Sequence, residues 1–192
     1  MARCSSLSIP ACLAALLLLT GCAAPGPGPG PGPAPYAGPE PTGVPADLHN
    51  RTAGFSAQLW AEKPLPRIGD FLSLKLRISA DAYLSLYAIH TSGRTSQLLD
   101  NEAARSDRTL TFPGPRSPVD YRVSPPPGTE TYLLVATEQP LRWLAPADIR
   151  RRGALTELNL TGGELQQRLR AVLERQNPYS WNGTVLNLPV DY

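Results

Sequence analysis

Residues 71–79 read Phe-Leu-Ser-Leu-Lys-Leu-Arg-Ile-Ser, with Leu72, Leu74, Leu76 and Ile78 on one parity and Ser73, Lys75, Arg77 and Ser79 on the other. Successive side chains of a strand point to opposite faces, so this period of two predicts a half-buried β-strand. Residues 82–90 are apolar on both parities, which predicts an inner strand covered on both sides. Ala80-Asp81 forms the tight connection between them, and the pair predicts a hairpin. Further strands are expected at 55–62, at 95–99 after the turn Thr91-Ser92-Gly93-Arg94, at 109–112, at 121–123, at 132–137 and at 184–188. Pro125-Pro126-Pro127-Gly128 is a hard stop before the strand at 132–137.

The period changes in the last third. Leu165, Leu169, Val172 and Leu173 recur at i, i+4, i+7 and i+8, the stripe of an amphipathic helix at about residues 162–176. Thr161 and Glu164 have capping-box spacing, and Asn177-Pro178 ends the segment. A shorter helix is expected from Ala145-Pro146 to Arg152, with proline in its first turn. Strands in a run, punctuated by turn signals, with one helix attached, predict a mainly β domain over residues 47–192. The expected architecture is an antiparallel β-sandwich of the immunoglobulin/transthyretin-like kind with one C-terminal amphipathic helix.

A different apolar run stands at the start. Residues 11–19 are almost wholly apolar, with Arg3 ahead of them. The run is shorter than the ~20 residues a spanning helix needs and fits the core of a secretory signal at residues 1–21. Leu19-Thr20-Gly21-Cys22, which closes it, resembles the bacterial lipobox. The resemblance implies lipidation of Cys22, removal of the preceding peptide and acylation of the new N-terminus. Several acyl chains on one residue, at about 0.8 kcal/mol per buried CH₂, would hold the protein at a bilayer. Ala23 and Ala24 follow the cysteine, without the Asp that commonly signals inner-membrane retention in such lipoproteins, so an outer-membrane address facing the periplasm is expected.

Residues 22–46 are dominated by proline and glycine, with Pro-Gly repeats over 25–33. Such a segment buries too little surface to offset its ordering entropy and predicts a disordered tether. Some 20 residues of extended chain would reach up to roughly 60 Å. The alternate prolines lack the N–H groups that cradle phosphate, so the repeat is no phosphate loop. Cys4 and Cys12 leave with the signal, and a lipid on Cys22 leaves no thiol for a disulfide, nucleophile or metal site. The formal net charge of +2 gives no argument for nucleic acid as a partner.

Residues 69–141 resemble a family of bacterial domains of unknown function, found in exported lipoproteins and beside caspase-like peptidase or kinase domains. The resemblance rests on Gly69-Asp70, Asp81-Ala82-Tyr83-Leu84, Gly93-Arg94, Leu98-Leu99-Asp100-Asn101 and Pro127-Gly128-Thr129-Glu130, in that order. The family often has proline where Asp100 stands. The resemblance implies a small β-sandwich accessory domain and no particular activity. Taken by themselves, Gly69, Gly93 and Gly128 suit turns, and Asp100-Asn101 can close an Asx-turn.

Catalytic signatures are sparse. The two histidines are His49, at the tether's edge, and His90, at a strand end. A triad would need His90 beside a serine and an acid such as Asp100 or Asp107, with no G-x-S-x-G elbow or S-x-x-K to propose it. No spaced histidine pair marks a metal site, no cofactor is implied, and Asp100, Asn101, Glu102 and Asp107 read as a solvated acidic loop or a loose calcium loop. Two surface features remain. Arg150, Arg151 and Arg152 form a basic run, with Arg168, Arg170 and Arg175 on the following helix. The arginine fork suits phosphate or carboxylate, while i,i+4 pairs such as Glu164–Arg168 would make the same residues an ordinary solvated face. Trp60, Trp143, Tyr179 and Trp181 either pack the helix on the sheet or anchor an interface.

These features predict a membrane-anchored envelope lipoprotein acting as a non-catalytic binding or assembly module. Its partners would be the bilayer, through Cys22, and a protein or cell-wall component, with Arg150, Arg151, Arg152, Arg168 and Arg170 as candidate contacts. A more specific version is a subunit of a secretion or surface-assembly machine. The rival from another class is an exported hydrolase using His90 and a serine.

Overall fold

The computed structural model describes residues 47–192 except Arg116, Pro118, Val119, Arg152 and Ala154. The expected signal, the lipobox-like stretch with Cys22 and the expected Pro/Gly tether lie outside the described residues. Nine strands and one helix follow in chain order: β1 (Ala57–Ala61), β2 (Leu74–Ile78), β3 (Ala82–Ile89), β4 (Thr95–Ala104), β5 (Thr109–Phe112), β6 (Gly128–Thr137), β7 (Ile149–Arg151), β8 (Thr156–Leu158), α1 (Gly162–Leu173) and β9 (Trp181–Val190). They build a three-stranded antiparallel sheet, ordered β1-β2-β5, and a six-stranded antiparallel sheet, ordered β7-β8-β4-β3-β6-β9. The fold is mainly β, as the strand pattern predicted.

Two apolar layers follow from parity. Leu74, Leu76 and Ile78 of β2 meet Leu84, Leu86 and Ala88 of β3 and Tyr132, Leu134 and Ala136 of β6 between the sheets. Odd positions of the same two strands, Tyr87, Leu133 and Val135, pack with Leu165, Leu169 and Leu173 of α1 on the far side of the large sheet. β3 and β6 are therefore apolar on both faces because a sheet covers one and a helix covers the other. The helix starts as expected: the Thr161 hydroxyl accepts from Glu164 N at 3.2 Å, and the Glu164 carboxylate accepts from Thr161 N at 2.8 Å. Its last residue is Leu173, three short of the expected end, since the buried leucine stripe finishes there. No helix among the described residues is long and apolar enough to cross a membrane.

The expected hairpin between residues 71–79 and 82–90 does not form. β2 pairs with β1 and β5, whereas β3 pairs with β4 and β6. Ser79, Ala80 and Asp81 carry the chain from one sheet to the other. Alternation reports which face of a strand is buried and leaves its lateral neighbour open, and here both strands turn their apolar faces into one core from opposite sides.

Three further expectations change. The segment at 121–123 makes one bridge, Phe71 to Arg122, and is not a strand. The expected helix from Ala145 to Arg152 is a single 3-10 turn, Pro146–Asp148, after which the chain extends into β7. Asp148 Oδ2 accepts from Ala145 N at 2.8 Å and closes that turn, and pairing with β8 then draws Ile149 and Arg151 out of any helix. Asp100-Asn101 does not end its strand either: β4 runs on to Ala104, with Asn101 at φ 52° where the register with β3 shifts.

Candidate functional site

The interior between the sheets is apolar until its open end, beyond Ala88, and there it becomes polar. Register places His90 and Glu130 side by side, because Ala88 pairs with Tyr132 and Ile89 with Thr131. Ser96 pairs with Ala88 from β4 and so points the same way. The result is a chain of contacts: His90 Nδ1 lies 3.3 Å from Glu130 Oε1 and His90 Nε2 lies 3.2 Å from Ser96 Oγ. Glu130 is only 2 % exposed, and the Tyr132 hydroxyl donates to its other oxygen.

Burial, followed by the proximity of Tyr121 and Glu130, pushes the Tyr132 hydroxyl's pKa far up, so it stays protonated and can donate. Tyr121, whose ring lies 6.2 Å from that of His90, is likewise shifted up, first by burial and then by Glu130. Its hydroxyl is buried and has no hydrogen-bond partner among the described residues.

His90 and Ser96 face a cleft of about 960 Å³, whose lining also includes Arg94, Arg122, Arg150 and Arg151. The turn after β3, the crossing segment 120–124 and the β7–β8 hairpin form its rim. Arg122 is fixed by its NH1 donating to Gly69 O at 3.1 Å and by stacking over Phe71, 3.6 Å from the ring centre. Arg151 pairs with Glu157 across the hairpin. Arg94 donates its Nε to Ser92 Oγ at 3.3 Å. The Arg150 guanidinium has no ion-pair or hydrogen-bond partner among the described residues. Glu164 also lines the cleft, but its carboxylate is turned onto Thr161, whose backbone N–H holds it below the usual range.

The arginines singled out by charge therefore divide. Arg150 and Arg151 line the cleft, and Arg152 lies outside the described residues. Arg168 pairs with both oxygens of Asp148, at 2.7 Å each, rather than with Glu164. Arg170 donates to Asp47 O at 2.9 Å and ties the first described residues to the helix. Neither lines the cleft.

The aromatics divide as well. Trp143 donates its indole N–H to the Tyr87 hydroxyl at 2.8 Å and packs edge-on to that ring, and Trp181 packs against the helix-side core. Burial raises the Tyr87 pKa to about 12. Trp60 and Tyr179 stay exposed.

His90 does sit beside a serine and an acid, but the acid is Glu130 rather than Asp100 or Asp107. Asp100 instead accepts from Gln97 and Asn101, and Asp107 pairs with Arg77. Among the described residues no group of three or more His, Cys, Asp or Glu side chains gathers to hold a metal ion. Residue spacing had no motif for 90, 96 and 130. The available signal was a glutamate on the inward parity of an apolar strand, two residues before Tyr132, where a carboxylate needs a partner.

A family model described as Domain of unknown function (DUF4384) matches residues 67–140. The match takes in β2 to β6, with His90, Arg94, Ser96 and Glu130, and stops before Arg150, Arg151 and the helix. No curated protein and no solved structure matches the chain.

Proposed function

We propose that this chain is a lipid-anchored lipoprotein of the bacterial cell envelope whose folded domain is a binding module, with the cleft at the open end of the sandwich as its contact face. In this reading Cys22 carries the lipid, the Pro/Gly segment is the tether, and the domain captures another envelope component within reach of the outer membrane. The observation that supports it most is the Arg150 guanidinium, exposed and without a partner among the described residues, in the lining of a cleft of about 960 Å³ that Arg94 also lines. Arginines with structural roles in this domain are matched by carboxylates, carbonyls or rings. One left free at a concave polar surface favours an external anion. Docking within a secretion or surface-assembly machine is the more specific form of the same reading.

Two experiments test it. Cys22→Ser should move the protein from the membrane to the soluble fraction, and retention at the membrane would remove the anchor. Changing Arg150, Arg151 and Arg152 together to serine should alter the set of partners crosslinked to the intact protein in cells, and an unchanged set would remove this rim as the contact.

A second reading has its own observation: Ser96, His90 and Glu130 follow the order of contacts of a nucleophile, base and orienting acid. Against it, β4 is paired on both edges at Ser96, to Ala88 and to Glu157, so the strand's backbone is committed to its ladders rather than presented as an oxyanion hole. His90→Ala should leave ester hydrolysis at background. Activity present in the wild-type protein and lost in that variant would favour the hydrolase.

A further inference from the structure

We infer that the cleft takes a phosphorylated sugar, whether free or as the phosphosugar part of an envelope glycan; this rests on the cleft being the binding face. The charge balance comes first. Arg151 is matched by Glu157, and Glu164 is turned onto Thr161, which leaves Arg94, Arg122 and Arg150 against Asp120 and Glu164, an excess of one positive charge in the lining. An anionic group is favoured there, and all three guanidinium groups have N–H donors to spare among the described residues: Arg94 is bound only through Nε, Arg122 only through NH1, and Arg150 through none.

The rest of the lining decides what carries the anion. Ser92, Ser96, Ser124, Asn159 and Thr161 present hydroxyl and amide groups, and Asp120 presents an acceptor. Leu155, Leu158 and Leu160 are the only aliphatic side chains lining it among the described residues. With these leucines and the Tyr121 ring the surface is about as apolar as it is polar, and so suits the faces as well as the edge of a sugar ring. It offers both donors and acceptors to a ring bearing several hydroxyls, each of which needs a partner on leaving water. The volume of about 960 Å³ lies at the upper end of the range for small-ligand sites and accommodates a phosphosugar with room for a second unit.

The test is calorimetric titration of the full-length protein in detergent with N-acetylglucosamine 1-phosphate, N-acetylglucosamine and inorganic phosphate. The phosphosugar should bind at least about tenfold more tightly than either part. Arg94→Gln and Arg150→Gln should each weaken it by about tenfold or more, the loss of a charge-assisted hydrogen bond. Both arginines are exposed, and thermal unfolding of each variant checks that the fold is kept. Equal binding of bare phosphate would overturn the sugar assignment. No binding of the phosphosugar, or binding indifferent to both arginines, would overturn the inference. In that last case, partners still crosslinked through the cleft rim would leave the binding-module reading standing, and their absence would remove both.

Discussion

The side-chain amide of Asn101 pairs with the backbone of Leu141 as a neighbouring strand would: Oδ1 accepts from Leu141 N at 2.6 Å, and Nδ2 donates to Leu141 O at 3.1 Å. This contact fastens the segment after β6 to the bulge in β4, and it accounts for an asparagine at φ 52°, a conformation asparagine tolerates better than most residues. Asn101→Ala should lose both hydrogen bonds and strain the backbone, costing about 2–4 kcal/mol. Asn101→Gly should lose the bonds without the strain and fall about 1 kcal/mol short of that cost. Urea unfolding of both variants measures the difference.

Gly183 of β9 has no room for a side chain. A Cβ there would meet Leu48 Cβ at 2.9 Å and two backbone oxygens, Leu134 O at 3.0 Å and Leu48 O at 3.1 Å. Gly183→Ala should therefore destabilise the domain by about 1–3 kcal/mol, although alanine elsewhere in a strand is no worse than glycine. At Gly163, where a Cβ meets nothing within 4 Å, alanine should be neutral or stabilising. Thermal unfolding of the two variants side by side checks the contrast.

The Asp148–Arg168 pair links the 3-10 turn to the middle of α1. Hydrogen bonds from Arg168, and then from Ala145 N, hold the Asp148 carboxyl below its ordinary value. A native pKa below the unfolded one means that the contribution is fully present above the ordinary carboxylate value of about 4 and is lost as pH falls through the native value. Asp148→Asn should lower the melting temperature at pH 7, and the gap from wild type should narrow as pH falls below about 4. A gap independent of pH would show that the charge contributes nothing.

Tyr132 supplies a buried donor to a buried carboxylate. Tyr132→Phe keeps the ring and leaves one Glu130 oxygen without its partner, a cost of about 1–3 kcal/mol. Guanidinium unfolding measures it. A neutral result would mean that Glu130 is satisfied by His90 alone.

Much of the fold was legible in the residues themselves. The alternation of Leu74, Leu76 and Ile78, the two-sided apolar runs of β3 and β6, and the Thr161–Glu164 box each act within a few residues, and each formed where its period placed it. What the pattern left undecided was lateral: which strand lies beside which, and where short edge strands such as β7 and β8 pair. Three-residue strands carry too few positions for a period, and their pairing depends on neighbours far along the chain. The same limit governed the site. His90 looked like a plain strand-end residue because Ser96 and Glu130 reach it only through the register of three strands. Arg150, which lines the cleft without a partner among the described residues, by contrast came from the basic run 150–152, where composition alone drew notice, although Arg168 and Arg170, which kept it company, proved to be committed elsewhere.

The most direct test of a binding module working through this cleft is site-specific photo-crosslinking in living cells. A photoreactive residue at Ser92, on the cleft rim, is compared with one at Gln58, exposed on the small sheet. Discrete adducts from position 92 that are absent from position 58 and that vanish when Arg94 and Arg150 are changed to glutamine are the predicted result. Adducts that arise equally from both positions, or that persist without the two arginines, would contradict it.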